Sequence, residues 1–154
     1  MNRRFRQVWF YLTGRPTEAA LRQAAQRLTP AEMALFSAMG APDQAHGIRV
    51  AERLAAIGAP RDVVAAGYLH DAGKPRGFGL FWRTFAVLWP GPRPEPAPPA
   101  GRPWQRARQI YHWHGHYAAA ALERTGASPR LTSLVRGEAR DDWATALRQA
   151  DDLG

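Results

Sequence analysis

Residues 43–74 read DQAHGIRVAERLAAIGAPRDVVAAGYLHDAGK, and they contain two consecutive segments with helical spacing. Apolar residues recur at three- and four-residue intervals from Val50 to Ile57, which predicts one face of a helix over 43–57. Pro60 then opens a second helix, and Gly73 supplies its stop. The small residues at 65–67 would let another helix approach closely. This stretch therefore predicts two packed helices, with a histidine near the start of the first and a His-Asp pair at the end of the second.

The rest of the chain predicts more helices on both sides of this stretch. Residues 17–39 predict two short helices, and the second is opened at 29–32 by an N-cap threonine, a proline and a capping-box glutamate. Three further helices are predicted over 104–124, with a break possible at Gly115, from 128 through 135, and over 141–153. No useful strand pattern and no internal repeat is present. The predicted fold class is all-α, a compact helical bundle.

The domain organisation follows from the segments between these helices. Residues 77–90 are rich in phenylalanine and tryptophan, and residues 90–103 contain seven prolines, which predicts an insertion loop over 77–103. The motifs on its two sides need each other, so we predict one domain over 1–154, with 1–27 as an N-terminal helical extension. Core packing is the expected role of the aromatic residues, with a lid, a dimer surface or a membrane-facing helix as alternatives.

Composition limits the chemistry. The chain has 154 residues and no cysteine, which excludes disulfides, a thiolate zinc site and a cysteine nucleophile. The net charge of +8 suggests an anionic ligand, although nearly all of it is arginine and Lys74 is the only lysine. No signal peptide and no run of roughly 20 apolar residues is found, so we predict a cytoplasmic protein without a transmembrane segment.

The histidines point to a metal site. All five fall in three places: His46, His70, and a cluster at 112, 114 and 116. Imidazole and carboxylate together suit a divalent first-row metal, and such sites in helical bundles form between facing helices. His70 and Asp71 are about 100° apart around a helix axis, so both can reach one metal only near the helix end. Asp151 lies on the apolar side of the last helix, where a carboxylate is costly to bury unless something positive meets it.

These motifs resemble the HD superfamily of metal-dependent phosphohydrolases, in the branch that carries the sequence HD-x-G-K. His46 precedes the His-Asp pair by 24 residues, and Asp151 follows Asp71 by 80. His116 with the helix after it resembles the third histidine of the family, and residues 150–152 resemble its closing aspartate. The resemblance covers the chain from residue 28 onward except for the insertion, and it implies a small stand-alone helical bundle of the HD-domain type.

The resemblance also implies a reaction and its residues. One divalent ion would be held by His46, His70, Asp71 and Asp151, and a metal-activated water would attack the phosphorus of a phosphate ester. Asp71 and Lys74 are the expected catalytic residues, with Lys74 binding phosphate. The ion could be manganese, iron, cobalt, nickel, zinc or magnesium.

A second metal site is left open. Relatives with two metals carry another histidine where this chain has the segment 134–138, and Glu138 could take its place. The residues that could bind a second metal or the substrate are His116, Glu138, His112 and His114. One metal is the expected number.

The expected partner is a small phosphorylated substrate of nucleotide-like character, and no oligomeric state is predicted. The absence of a Gly-Tyr-Pro signature argues against the cyclic-di-GMP phosphodiesterase branch. Two alternatives remain. The chain could be a catalytically weak or inactive regulatory module that binds metal or nucleotide, or a basic helical protein that binds nucleic acid through its arginines and the histidine-tryptophan cluster.

Overall fold

The computed structural model describes residues 14–88 and 91–153. Within them it contains eight helices and no strand, which confirms the all-α prediction. The helices are α1 (Glu18–Arg27), α2 (Pro30–Ala38), α3 (Ala41–Ala56), α4 (Arg61–Leu69), α5 (Leu80–Leu88), α6 (Pro103–Arg124), α7 (Pro129–Arg136) and α8 (Asp142–Asp152).

Local capping sets several helix ends. Thr29 and Glu32 form the predicted capping box at the start of α2, each side chain accepting a hydrogen bond from the other residue's backbone N–H. The side chains of Ser128 and Asp141 likewise accept from backbone N–H groups at the starts of α7 and α8. Gly137 ends α7 with a φ of 80°, a backbone conformation that favours glycine. These boundaries were readable from the sequence because each depends on residues close together in the chain.

Helix α4 is the centre of the bundle. Every residue from Val63 to Leu69 is buried, and α4 contacts α1, α2, α3, α7 and α8. Its approach to α3 depends on glycine: a Cβ on Gly67 would lie 2.9 Å from the Cα of Ala51, and one on Gly47 would lie 2.7 Å from the carbonyl oxygen of Tyr68. The predicted close approach at 65–67 is therefore confirmed, and it brings the residue before Gly47, His46, beside the end of α4.

Helix α6 runs without interruption through Gly115, so the break that the glycine made possible does not occur. A Cβ on Gly115 would lie 2.6 Å from the carbonyl oxygen of Val135 in α7. The glycine therefore allows α6 and α7 to pack closely. This contact holds the histidine cluster of α6 against the bundle.

The segment 77–103 differs from the predicted loop in its first half. Residues Leu80–Leu88 form helix α5, which packs against α6. A small second core of Phe78, Ala107 and Ile110 lies between them, so the expected core packing of this aromatic segment is confirmed in part. The aromatic and β-branched residues here have modest helix propensity, and packing on α6 supplies the support that local sequence lacks.

The predictions of an N-terminal extension and of no transmembrane segment can be compared only with the described residues. The first thirteen residues of the predicted N-terminal extension lie outside the described residues, and α1 forms most of the remainder. Among the helices of residues 14–88 and 91–153, none combines the length and the apolar character that crossing a bilayer requires.

Candidate metal centre

Three helices bring two imidazoles and one carboxylate together. His46 comes from α3, His70 follows the last residue of α4, and Asp151 lies near the end of α8. The Nε2 of His46 is 2.7 Å from the Oδ1 of Asp151, and the Nε2 of His70 is 3.3 Å from both of these atoms. We call His46, His70 and Asp151 the donor triad. These residues are distant in the chain, but their donor atoms lie close together. Two imidazole nitrogens and a carboxylate oxygen in this arrangement could bind a metal ion.

A second interaction orients His70. Its Nδ1 lies 3.0 Å from the carbonyl oxygen of Gly67, one of the last carbonyls of α4, and donates a hydrogen bond to it. The Nε2 of His70 is therefore the ring nitrogen that faces His46 and Asp151. Metal-binding histidines commonly use their other ring nitrogen in this way, because the hydrogen bond selects the tautomer and holds the ring.

Asp151 is positioned through Arg53 of α3. The Arg53 guanidinium donates to the carbonyl oxygens of Ala150 and Leu153, each at 3.0 Å, and so ties the end of α8 to α3. The Asp151 side chain remains 46% exposed, whereas those of His46 and His70 are 17% and 12% exposed. The triad is thus open to solvent on the side of Asp151, where a small ligand can enter.

Asp71 lies beside the triad and joins it to two other groups. Its Oδ1 is 3.7 Å from the Nε2 of His70, 2.5 Å from the Nζ of Lys74 and 3.3 Å from the Nε2 of His114. The carboxylate is almost fully buried. Of the four residues expected to hold the metal, the structure groups three by their donor atoms, and Asp71 borders them with Lys74 as its nearest partner.

These neighbours shift the pKa values of the site. Burial opposes the charge of His70, but Asp71 and Asp151 together raise its pKa to about 9. Burial likewise opposes the charge of Asp71, but His70 and Lys74 hold the pKa of that carboxyl well below its usual range. Hydrogen bonds from His46 and His70 lower the pKa of Asp151 against the effect of its burial. Without metal, the carboxylates of the site therefore retain a proton on His70 at neutral pH, and an ion would replace that proton.

This arrangement predicts how the metal-free protein depends on pH. Because the pKa of His70 rises from 6.5 in the unfolded chain to about 9 in the folded one, its contribution to stability is complete below pH 6.5. That contribution is lost as the pH rises through 9, by at most about 3 kcal/mol. Urea unfolding of the chelator-treated protein at pH 6.5 and pH 9.5 measures the difference. A His70→Asn variant that loses as much stability as the wild type over this range would contradict the assignment to His70.

The histidines of α6 lie in different environments. His114 faces Asp71, whereas His116 contacts the ring of Trp113, with centroids 4.7 Å apart. His112 packs beside Tyr111, and burial with the nearby Arg93 lowers its pKa. His116, compared above with the third family histidine, is therefore not the one that reaches the Asp71 side chain. Helical periodicity carried a usable signal, since His114 lies four residues from each of the buried residues Ile110 and Ala118.

Glu138, the other candidate for a second metal, lies just after α7. Its carboxylate is 57% exposed and 3.7 Å from the guanidinium of Arg136. Glu138 does not belong to the donor triad. The structure brings His114 to Asp71 and leaves Glu138 with an arginine partner.

Several arginines of the described residues have partners from other segments of the chain. Arg61 pairs with the buried Glu32, and Arg83 pairs with the buried Asp43. Arg53 and Arg76 donate to backbone carbonyls. These four side chains therefore contribute to contacts between different parts of the bundle.

Comparison with protein-family models, with curated proteins and with solved structures finds no match to this chain. Neither a relative nor a fold neighbour therefore supplies a function. What remains is the geometry of the donor triad and of the groups around Asp71.

Proposed function

We propose that the protein is a metal-dependent phosphohydrolase of the HD-domain type, which hydrolyses a phosphate ester through a water activated by one divalent ion. The observation that carries the proposal is the donor triad. His46, His70 and Asp151 come from three helices, and one donor atom of each lies within 4.8 Å of the others. A histidine and an aspartate 105 residues apart in the chain meet here at hydrogen-bond distance, beside the ion pair of Lys74 with the buried Asp71.

The chemistry of the donors supports a first-row metal. Two imidazole nitrogens and one carboxylate suit manganese, iron, cobalt, nickel or zinc, whereas magnesium prefers an environment of oxygen ligands. Three protein ligands are also the number typical of catalytic zinc sites, which keep a position for water or substrate. Asp71, the fourth expected ligand, borders this group with its Oδ1 3.7 Å from the Nε2 of His70 and is not counted among the three donors.

One divalent ion at the triad would lower the pKa of water and neutralise charge on phosphate oxygens. Lys74 supplies a second positive charge next to that position, with its ammonium held by Asp71 and its side chain 11% exposed. We assign Lys74 to a phosphate oxygen of the substrate, because an ammonium with little access to water binds an anion more strongly than an exposed one. Asp71 is assigned to hold Lys74 in place.

The surroundings of Asp71 favour one resident ion. Burial and the neighbouring Lys74 lower the pKa of His114 to about 4, so this imidazole is neutral at pH 7. Its Nδ1 donates to the carbonyl oxygen of Tyr111 at 3.0 Å, which leaves the lone pair of Nε2 facing Asp71. The His114 nitrogen and the Asp71 carboxylate are both electron-pair donors, and a cation could bind between them. The Lys74 ammonium already provides a positive charge next to Asp71. A second metal at this position would have to compete with Lys74.

The test is elemental analysis and hydrolysis by the wild-type protein. The protein is stripped with chelator, reconstituted separately with Mn²⁺, Ni²⁺, Fe²⁺ and Zn²⁺, and dialysed before its metal is measured. We expect near-stoichiometric retention of at least one ion, and hydrolysis of 4-nitrophenyl phosphate that chelator abolishes and the same ion restores. Retention without hydrolysis across aryl, nucleotide and sugar phosphates would point to a regulatory metal-binding module. Absence of metal, with chelator-insensitive and strongly salt-dependent nucleic-acid binding, would overturn the proposal.

A further inference from the structure

A cavity of about 670 Å³ opens beside the turn that follows α4. Gly73, Pro75, Ile110, His116 and Tyr117 line one part of it, and residues 96–99 line the other. The volume lies within the range of roughly 300–1,000 Å³ that is typical of small-molecule sites. The cavity is distinct from the donor triad, since the two share no residue.

The chain connects this cavity to the residues around Asp71. Gly73 and Pro75 of its wall flank Lys74 in the sequence. On α6, Ile110 and Tyr117 lie four residues before and three after His114, so they share its helix face. That face meets Asp71 through His114. A phosphate ester bound by Lys74 could therefore place the rest of the molecule in this cavity.

The proline segment forms the far wall and is held by α6. The hydroxyl of Tyr117 donates to the carbonyl oxygen of Ala97 at 2.6 Å, and the indole N–H of Trp113 donates to that of Pro94 at 2.8 Å. The Arg93 guanidinium stacks on the Trp113 ring at 4.0 Å. The prolines at 96, 98 and 99 are thus held against α6, although this segment has no regular secondary structure.

In the described part of the chain, the lining of the cavity is largely apolar and carries no formally charged group other than what His116 can acquire. Among the described residues that form it, none carries a carboxylate, an ammonium or a guanidinium. Proline has no backbone N–H and presents the apolar surface of its ring, to which an aromatic system can lie parallel. His116 adds an aromatic side chain that is restrained by its edge contact with Trp113.

We propose that this cavity binds the aromatic part of the phosphate substrate, so that aromatic phosphate monoesters are preferred over small aliphatic ones. The inference rests on the proposed function, because Lys74 and the donor triad must hold the phosphate. The aromatic part is either a simple aryl group or the base of a nucleotide, and the two share the chemistry that the cavity recognises.

The test compares 1-naphthyl phosphate, adenosine 5′-monophosphate and glycerol 3-phosphate as substrates of the metal-loaded protein. In His116→Ala we expect kcat/KM for the aromatic substrates, relative to glycerol 3-phosphate, to fall by about 10-fold, mainly through KM. His112→Ala is the matched control. The sequence suggests His112 as a possible substrate or metal residue, but the structure places its ring against Tyr111, outside the cavity lining and the donor triad, so the ratio should stay at the wild-type value. The aromatic substrate with the larger wild-type ratio identifies the source of the ring.

A binding measurement separates failure of this inference from failure of the proposed reaction. Calorimetry with phenylphosphonate and methylphosphonate, which resist hydrolysis, reports on the cavity without turnover. Tighter binding of phenylphosphonate that His116→Ala removes supports the cavity assignment, even if no phosphate ester is hydrolysed. Metal-dependent hydrolysis with equal preference for aromatic and aliphatic substrates, and with His116→Ala matching the wild type, would overturn the assignment while leaving the proposed reaction intact.

Discussion

Asp151→Asn is expected to leave the protein without bound metal and to reduce phosphate-ester hydrolysis to the level of the chelator-treated wild type. Asparagine has nearly the same shape as aspartate but is neutral, and its amide oxygen binds a divalent ion more weakly than a carboxylate oxygen does. The change removes the negative charge that Asp151 places near His46 and His70. Loss of an outer-shell partner alone weakens metal binding by roughly 10–100-fold, so loss of the charged ligand should exceed that range.

Asp152→Asn provides the matched control for this change. Asp152 is the next residue in α8 and is exposed, but it does not belong to the donor triad. Metal content is measured by elemental analysis after reconstitution and dialysis, and circular dichroism checks that both variants are folded. Equal metal retention by the two variants would exclude Asp151 as a ligand and would remove the main support for the proposed function.

Gly73→Ala is expected to destabilise the fold by about 3 kcal/mol, the upper part of the range for overpacking. A Cβ at this position would lie 1.9 Å from the carbonyl oxygen of His114 and 2.7 Å from its carbonyl carbon. Both atoms belong to the backbone of α6, whose local movement is restricted because the next residue, Gly115, is itself packed closely on α7. The clash must therefore separate α6 from the turn that carries Asp71 and Lys74. Urea unfolding measures the loss of stability, and hydrolysis should fall with it.

Gly79→Ala tests whether the effect of Gly73→Ala is due to close packing. The nearest atom to a Cβ on Gly79 is a backbone oxygen of Gly77 at 3.8 Å, which is an ordinary contact distance, and Gly79 has no positive φ. Its substitution should change the free energy of unfolding by less than about 0.5 kcal/mol. If both variants unfolded at the same urea concentration as the wild type, the close packing of the turn at residues 70–74 against α6 would be contradicted.

Much of the fold could be predicted from short-range interactions. The capping box of Thr29 and Glu32, the N-caps Ser128 and Asp141, and the helix stop at Gly137 each act within a few residues. The sequence pattern around them therefore predicts where the helices begin and end. Helix α5 was not predicted, because its support comes from α6, a helix that begins 15 residues after α5 ends.

Part of the candidate site was also predictable. The family resemblance implied four metal ligands, His46, His70, Asp71 and Asp151, and the fold brings together the donor atoms of three of them. The partners of Asp71 were harder to predict from the sequence. Lys74 is three residues away and lies near the same turn, but His114 reaches Asp71 from another helix.

By itself the sequence determined the helical class and most helix boundaries, because caps, helix stops and apolar periodicity act over a few residues. Its motifs also led to four expected metal ligands, of which the fold groups His46, His70 and Asp151. The tertiary structure decided that His114 and not His116 contacts Asp71, for which helical periodicity gave only a partial signal, and it alone placed the proline segment against α6. The physical reason is that the rotation of α6 is set by its close contacts with Gly73 and with Val135, both of which lie in other parts of the chain.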